Sequence, residues 1–332
     1  MTLIDYFRPP HYRPAEDMWI VSAYFNPDGY KSKRVNLEIF LRSLECSGLN
    51  YLLVECAFNE QPFFLPASRN VLRVRSGSVM WQKERLLNLA ISKLPKTCSK
   101  VAWLDADILF AEPDWAVKTS HLLDKHQIVQ PYHRVIRLPP RSQWYQGTGE
   151  MRKSFAYVQS RDPTKLLVRF LANHLGVHGS TGFAWAARAD ILRTGSLYDC
   201  AILGGGDHLM AHGFCGDCAS VCVKRIVGRD NHYAESFEHW TGRIHSEVKS
   251  DIGFARGTVL HLWHGEKVRR QYSQRARELL KVGFDPNKDL RISASGAWEW
   301  VRAKSRLQAS CEDYFRSREE DTSRDDTSPS VP

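Results

Sequence analysis

Two carboxylates separated by a single residue, Asp105 and Asp107, follow a short apolar run that begins at Val101. Such a run after a polar segment predicts a buried strand of a parallel sheet, with the carboxylates at its C-terminal end. Open α/β sheets bind ligands at that end, and alternate residues point to opposite sides of an extended backbone. One carboxylate could bind a hard divalent cation that also accepts phosphate oxygens, while the other meets a sugar or ribose hydroxyl. The alternative is a pair of solvated acids.

The composition is that of an ordinary globular protein, with 332 residues of which 43% are hydrophobic and 25% are charged. The net charge of +9 favours a partner with negative charge, such as a phosphorylated ligand, a nucleic acid or an anionic membrane surface. The sequence has neither an RNA-binding signature nor a block of lysines and arginines, so we expect no nucleic acid partner.

The sequence predicts no transmembrane helix, because no segment approaches the roughly 18 consecutive apolar residues that a membrane span needs. Residues 1–17 are polar and lack the apolar core of a signal peptide, which predicts a cytoplasmic protein. In that compartment the eight cysteines are expected to be reduced thiols.

Strands and helices alternate along the first part of the chain, after an irregular arm at 1–17. The patterns predict strands at 19–25, 51–56, 71–75, 101–105 and 128–130, and helices at 36–47 and 81–94. This alternation is typical of an α/β fold with a mixed sheet covered by helices on both faces. Between the first strand and helix, Tyr30–Arg34 predicts a basic loop that could contact phosphates.

The helix predicted from Trp81 could contribute to a nucleotide site. Its first turn offers free backbone N–H groups, Trp81 offers an aromatic ring, and Lys83 and Arg85 offer positive charge. An aromatic ring beside cations at a helix start suits a base and its phosphates. The alternative is an amphipathic surface helix anchored by a tryptophan.

The second half begins with residues 131–161, which are rich in arginine, proline, glycine and aromatic residues and show no clear period. We expect a long loop here, either functional or disordered, and then a helix at 162–174. Residues 178–192 predict a glycine-rich approach, a buried strand and the start of a helix. The turn at 203–211 places Asp207 after three glycines, where it could be a helix N-cap or a functional carboxylate held by the helix N-terminus.

A group of histidines and cysteines follows this turn, but its spacings match no common zinc module. Met210 and Phe214 favour a packed helix instead. The residues concerned are His208, His212, Cys215, Cys218 and Cys222.

Two histidines, His261 and His264, end an apolar strand near the C-terminal side of the chain. A histidine brought beside Asp107 would complete a mixed nitrogen and oxygen site suited to manganese, and the alternative is two histidines packed beside Trp263. The cations that follow could clamp a diphosphate; they are Lys267, Arg269 and Arg270. The composition after residue 316 is charged and aperiodic, which predicts disorder at 316–332.

The Asp105–Asp107 stretch resembles the D-x-D motif of GT-A-fold glycosyltransferases. The aromatic residue, the basic residue and Leu-Leu-Asn that precede it are similar to the β-1,4-galactosyltransferase pattern. This resemblance implies that Trp81 and Lys83 contact the nucleotide, that Asp207 is the catalytic carboxylate in the glycine-rich turn, and that a C-terminal histidine binds the metal. His264 matches best by order and spacing, with His261 in reserve. Leu203, Gly206 and His208 stand where the family has a tryptophan and additional acids.

These features together predict a metal-dependent glycosyltransferase, hexosyl-transferring and inverting. A nucleotide-diphosphate sugar, with UDP-sugar favoured, would donate to a hydroxyl of a glycan or other acceptor, with Mn²⁺ or Mg²⁺ as cofactor. The predicted donor-binding residues are Trp81, Lys83, Arg85, Asp105 and Lys267; the metal ligands are Asp107 and His264; and the base is Asp207.

The predicted GT-A domain spans 18–285, with a nucleotide-binding half at 18–130 and an acceptor half at 131–285. A helical extension follows at 286–315. The alternatives are a nucleotidyltransferase and a non-catalytic carbohydrate-binding protein of the same fold. The former would need a glycine-rich phosphate loop after the first strand, and Asn26–Gly29 is a poor one.

Overall fold

The computed structural model describes residues 15–161, 178–302 and 305–322. Most of the predicted arm (1–14), the helix predicted at 162–174 and the tail after residue 322 lie outside the described residues. The strands are β1 (Met18–Phe25), β2 (Asn50–Phe58), β3 (Val71–Ser76), β4 (Lys100–Leu104), β5 (Ile108–Phe110), β6 (Ile128–Gln130), β7 (Arg134–Arg137), β8 (Glu150–Lys153), β9 (Ala184–Arg188), β10 (Ile252–Phe254), β11 (Thr258–His261), β12 (Leu290–Ile292) and β13 (Trp298–Trp300).

The helices lie between and after these strands. They are α1 (Lys31–Ser47), α2 (Lys83–Lys93), α3 (Trp115–Leu123), α4 (Phe155–Arg161), α5 (Ala189–Gly195), α6 (Gly206–Phe214), α7 (Val221–Val227), α8 (His232–Val248), a 3-10 helix (Lys267–Arg270), α9 (Tyr272–Lys281), α10 (Pro286–Asp289) and α11 (Ser305–Arg316). No helix of the described ranges has both the length and the apolar character needed to cross a membrane. The eight cysteines form no disulfide within those ranges.

A seven-stranded mixed sheet with the order β10-β6-β9-β4-β1-β2-β3 forms the centre of the fold. Strand β9 is antiparallel to both of its neighbours, and the other pairs are parallel. Every residue of β4 is buried, as the apolar run at 101–104 predicts. The carboxylate pair therefore follows directly after a central strand.

Helices cover both faces of this sheet. Successive side chains of a strand point to opposite faces, and those of β4 enter two different apolar cores. Val101 and Trp103 pack in the core that includes α2, α6 and α8. Ala102 and Leu104 pack in the core that includes α1 and α3. This arrangement confirms the predicted α/β class, a mixed sheet with helices on both faces.

A second, four-stranded sheet with the order β5-β11-β7-β8 brings the end of β11 beside the carboxylate pair. Strands β5 and β11 are antiparallel, and His261 is paired with Ile108. The Leu262 N–H donates to the carbonyl oxygen of Asp107 at 2.9 Å. The distant histidine segment is thereby held next to Asp107 by backbone hydrogen bonds.

Three of the predicted secondary-structure assignments differ from the structure. Residues 131–161 contain the antiparallel pair β7–β8 and helix α4 rather than one irregular loop, since the short strands are too polar to show a period. Helix α1 begins at Lys31, so the predicted basic loop forms its first turn. The extension at 286–315 contains the hairpin β12–β13 as well as helices α10 and α11.

Residues 317–322, predicted to be disordered, pack against the rest of the fold. Arg318 and Glu320 are 6% and 1% exposed. Asp321 accepts hydrogen bonds from the N–H groups of Lys31 and Ser32 at the start of α1. The prediction was wrong for these residues because their ordering depends on charged partners elsewhere in the chain, which a local composition does not reveal.

Candidate functional site

A cavity of about 620 Å³ lies at the carboxyl ends of β1 and β4, a size within the roughly 300–1,000 Å³ of small-molecule sites. It joins segments that are distant in the sequence, from β1 to residue 318. Seven of the predicted site residues line it: Trp81, Lys83, Asp105, Asp107, Asp207, His264 and Lys267.

Lys83 bridges two carboxylates at one wall of the cavity. Its ammonium donates to Asp105 Oδ1 at 2.9 Å and to Asp207 Oδ2 at 2.6 Å. Burial opposes the charge, but Asp105 and Asp207 hold the pKa of Lys83 well above its ordinary value. The lysine side chain is 9% exposed and the two carboxylates are 25% and 24% exposed, so the carboxylates are more exposed than the lysine that joins them.

The second oxygen of Asp105 accepts the Phe183 N–H at 3.1 Å. Burial, together with the negative charges of Asp207 and Asp107, raises the pKa of Asp105 despite the nearby Lys83. Both carboxylate oxygens of Asp105 therefore accept hydrogen bonds from within the protein. Only the edge of the carboxylate that faces the cavity is well placed to accept a hydrogen bond from a ligand hydroxyl.

A third carboxyl group, Glu84, lies behind this cluster at 3.8 Å from Lys83 Nζ. Burial and the charge of Asp207 raise the pKa of Glu84 to about 8, although Lys83 opposes the shift. The side chain packs against Gly206, where any Cβ would overlap the Glu84 carboxyl group. Glycine at 206 thus allows α6 to approach α2 closely enough for Asp207 to reach Lys83.

Asp207 is not the N-cap of helix α6. Gly205 occupies the cap position with φ of +95°, a left-handed conformation that suits glycine. No side chain makes a capping hydrogen bond there, and Asp207 lies in the first turn with its side chain directed to Lys83. The cap interpretation therefore fails, and the functional interpretation of Asp207 stays open to test.

At the opposite side of the D-x-D turn, Asp107 meets both histidines. His264 Nε2 lies 2.9 Å from Asp107 Oδ2, His261 Nε2 lies 3.9 Å from Asp107 Oδ1, and the two Nε2 atoms are 3.2 Å apart. Burial disfavours the charge of Asp107, but His264 and His261 hold its pKa well below the ordinary range. Burial holds the pKa of His261 well below its ordinary value.

These three residues fit a divalent cation. Their candidate donor atoms all lie within 4.8 Å of one another. Asp107 Oδ1 is buried and has no hydrogen-bond partner among the described residues, and the neutral form of His261 leaves a nitrogen lone pair available. His264 Nδ1 lies 3.3 Å from Glu320 Oε1, the kind of outer partner that orients a metal-binding imidazole.

Cationic side chains surround the rest of the cavity: Lys33, Arg137, Arg152, Arg225, Lys267, Arg270, Arg275, Arg277 and Arg318. Arg270 Nη2 lies 3.1 Å from His264 Nε2, next to the candidate metal site. Lys267 lines the cavity but its ammonium bonds to Glu150 at 3.0 Å. Arg269, a third predicted clamp residue, pairs with Glu319 and is not part of the lining. The lining is suited to a polyanionic ligand.

Trp81 borders the cavity, and other side chains of the protein pack against part of its indole ring. Phe315 stacks on the indole with ring centroids 6.2 Å apart, and Phe25 meets it edge-on at 5.2 Å. The Arg318 guanidinium lies 5.4 Å from the ring centroid. A nucleotide base that contacts Trp81 would therefore lie beside an aromatic cluster to which helix α11 contributes Phe315.

Arg85 points away from the cavity, contrary to its predicted donor-binding role. Its Nε donates to the Gly296 carbonyl at 2.7 Å, and its guanidinium packs over Trp298 and pairs with Asp199. Residue 85 follows Lys83 by two positions on a helix, and such neighbours face different directions. Arg85 instead ties α2 to the β12–β13 hairpin.

Sequence reasoning missed several residues at this site. Glu84 gave no signal, because burial of a carboxyl group between two helices depends on their packing. Arg137 lies in the arginine- and aromatic-rich segment 131–161, where nothing in the sequence distinguishes it from the neighbouring arginines. Arg318 was missed because its segment has no apolar period.

No family model matches this chain, and no curated protein sequence matches it either. Among solved structures, the chain is similar to 4-diphosphocytidyl-2C-methyl-D-erythritolsynthase from Anaerococcus prevotii, at 11% sequence identity and a TM-score of 0.29. That alignment covers 72% of this chain and 86% of the other. At this TM-score the likeness carries no conclusion about activity, and the functional argument rests on the residues of the cavity.

Proposed function

We propose that the protein is a GT-A-type glycosyltransferase that moves a sugar, a hexose, from a nucleotide-diphosphate sugar to a hydroxyl group of a glycan or other acceptor. One observation carries the proposal: a metal-suited cluster at Asp107 and a lysine-bridged carboxylate pair at Asp105 and Asp207 share one cation-lined cavity. A UDP-sugar is the favoured donor. Residues 18–130 would form the nucleotide-binding half and residues 131–285 the acceptor half.

Asp107, His264 and His261 would hold the divalent ion. Two imidazoles and a carboxylate suit Mn²⁺ better than Mg²⁺, which prefers oxygen ligands alone. When bound, such an ion supplies Lewis-acid stabilisation of the diphosphate oxygens. Arg270 and Lys267 border the same region and would contribute positive charge to the departing diphosphate.

In this scheme the bond between the anomeric carbon and the phosphate oxygen breaks, and a bond forms from the acceptor oxygen to that carbon. Asp207 accepts the proton of the acceptor hydroxyl, which gives inversion at the anomeric carbon. Lys83 orients Asp207 by donating a hydrogen bond to its Oδ2, and Asp105 accepts a hydrogen bond from a hydroxyl group of the donor sugar. Lys83 therefore acts as a positioning residue rather than as the direct phosphate contact that the helix pattern predicts.

The decisive experiment is a screen of nucleotide sugars for manganese-dependent turnover by the purified chain, with the nucleotide products separated by chromatography. Release of nucleoside diphosphate is expected, with UDP from the best substrate. Formation or consumption of pyrophosphate would instead identify a nucleotidyltransferase. Absence of turnover with every donor, in the presence and absence of candidate acceptors, would favour a carbohydrate-binding protein without catalysis.

A further inference from the structure

Four metal-binding side chains meet in a second, more deeply buried cluster: His178, His208, His212 and Cys222. Their exposed fractions are 2%, 8%, 0% and 5%, and one donor atom from each lies within 4.8 Å of the others. The cluster contains three imidazoles and one thiol but no carboxylate. This set of donors differs from that around Asp107, which includes a carboxylate.

Three separate parts of the chain supply these residues. His208 and His212 are four positions apart on α6 and so share one helix face. Cys222 comes from α7 and His178 from the segment before β9. The ring centroids of the three histidines are 4.5 to 5.0 Å apart, so the three imidazoles are direct neighbours of one another. The zinc spacings were not recognisable in the sequence because His178 is remote from the others and Cys215 and Cys218 do not take part.

The hydrogen bonds around His212 have the arrangement of a metal-binding imidazole. His212 Nε2 faces Cys222 Sγ at 3.6 Å, within the cluster. Its other nitrogen, Nδ1, lies 2.8 Å from Asp217 Oδ2. Asp217 is itself held by the N–H groups of Ala219 and Ser220, and a carboxylate behind the far nitrogen commonly orients a histidine ligand.

We propose that His178, His208, His212 and Cys222 form a structural zinc site. Four nitrogen and sulfur donors without an open position match the closed tetrahedral coordination of structural zinc. The thiolate favours zinc over the magnesium or manganese that an oxygen-containing site takes. On binding, Cys222 releases its thiol proton to solvent and becomes the thiolate ligand.

Such an ion would join the elements that form one wall of the cavity. His208 is adjacent to Asp207 on α6, and the segment that begins at His178 continues to Gly182, which lies against the Asp207 carboxylate. His208 and Cys222 also border the cavity. The zinc site would therefore fix α6, α7 and residues 178–183 relative to one another. This inference is independent of the reaction that the cavity carries out.

The first test is the metal content of the 332-residue chain, purified without chelators and then supplied with zinc and dialysed. We expect about one tightly bound zinc per chain, as for a four-ligand structural site. Cobalt introduced into the metal-free protein should give the intense near-ultraviolet band of a cobalt–thiolate bond. Failure of the wild-type protein to retain zinc, or a cobalt spectrum without the thiolate band, would overturn the proposal.

Variants identify the site. Cys222→Ser should lose the thiolate band and most of the bound zinc, whereas Cys218→Ser, a nearby cysteine outside the cluster, should keep both. Asp107→Asn should also keep the band, because that residue belongs to the other cluster. Retention of the band in Cys222→Ser would contradict the assignment.

Asp217→Asn provides a milder variant in case Cys222→Ser does not fold. An asparagine can still accept the Ala219 and Ser220 N–H groups but no longer supplies a negative charge behind His212. Zinc affinity should fall roughly 10- to 100-fold, as is typical for loss of such a partner. Unchanged affinity in a competition titration with a chromogenic chelator would show that His212 does not bind the metal.

Discussion

The two carboxylates of the D-x-D turn lie in opposite electrostatic surroundings although a single residue separates them. Asp107 faces two histidines and has a pKa well below the ordinary range, since these neighbours outweigh the effect of burial. Asp105 faces Lys83 together with other carboxylates, and burial with their negative charge raises its pKa. One side of the turn is therefore suited to hold a cation, and the other side is suited to hydrogen bonding and proton transfer.

This difference follows from which side chains of distant segments lie next to each carboxylate. The antiparallel pairing of β5 with β11 brings imidazoles to Asp107. The close approach of α2 and α6 brings a lysine and two more carboxyl groups, Glu84 and Asp207, to Asp105. Asp105 and Asp107 have the same type of side chain. The packing around each of them, rather than the residue type, therefore gives the two carboxylates different chemical roles.

The largest expected effect is on the cation side. Asp107→Ala or His264→Ala should reduce manganese-dependent turnover on the order of 1000-fold, because several kcal/mol of transition-state stabilisation depend on the ion. The circular dichroism spectrum should be unchanged. His232→Ala, an exposed histidine, is the matched control. Near-normal turnover in either site variant would show that the two sides of the turn do not differ in the proposed way.

The next effect concerns the carboxylate side. Asp207→Asn should lower kcat by roughly 100-fold or more while donor affinity stays similar, since a general base acts mainly in the transition state. The asparagine oxygen can still accept the Lys83 hydrogen bond. Asp190→Asn, at the exposed first turn of α5, is the control. If Asp207→Asn turns over normally, the inverting scheme loses its base and a retaining mechanism has to be considered.

A smaller effect is expected at the aromatic border of the cavity. Nucleoside diphosphate should quench tryptophan fluorescence, and Trp81→Ala should remove most of that quench. Loss of the ring should weaken nucleotide binding by roughly 2- to 10-fold, given about 0.5–1.5 kcal/mol for an aromatic stacking contact. Trp144→Phe, a partly exposed tryptophan in the 131–161 segment, serves as the control. An unchanged quench in Trp81→Ala would place the base elsewhere.

The smallest effect is on stability and comes from Glu84. Its pKa is raised from an ordinary 4.5 to about 8 by burial and by Asp207, so between these values the folded state binds more protons than the unfolded state. Stability from this group is therefore present at low pH and declines as pH rises through this window. Glu84→Gln should flatten the decline and raise Tm by roughly a few degrees at pH 8 relative to the wild type.

Thermal melts of Glu84→Gln and wild type across this pH window provide the measurement. Glu238→Gln, an exposed glutamate of α8, is the control and should leave the profile unchanged. Parallel profiles for wild type and Glu84→Gln would mean that Glu84 ionises normally. The carboxylate side of the turn would then carry one more negative charge than it does with Glu84 protonated.

Local sequence patterns were sufficient for the main elements of the fold. The apolar run at 101–104 predicts β4, and its alternate residues do enter different cores. The 3.6-residue period after Trp81 predicts α2. Such patterns work because burial of one face of a strand or helix is recorded in the residues of that same element. Short polar strands such as β8, which is exposed throughout, leave no such record.

The composition of the candidate site was decided by tertiary structure. Order along the chain predicted that a histidine would follow, but the pairing of β11 with β5 determined that both His261 and His264 reach Asp107. Lys83 and Asp207 are 124 positions apart, and no local pattern indicates that they bond to each other. The apolar period of a helix specifies which of its faces is buried. It does not specify which polar side chain of another element lies next to the end of that helix. That choice depends on the packing of whole helices and sheets, and here on a glycine at 206 that lets two helices come close.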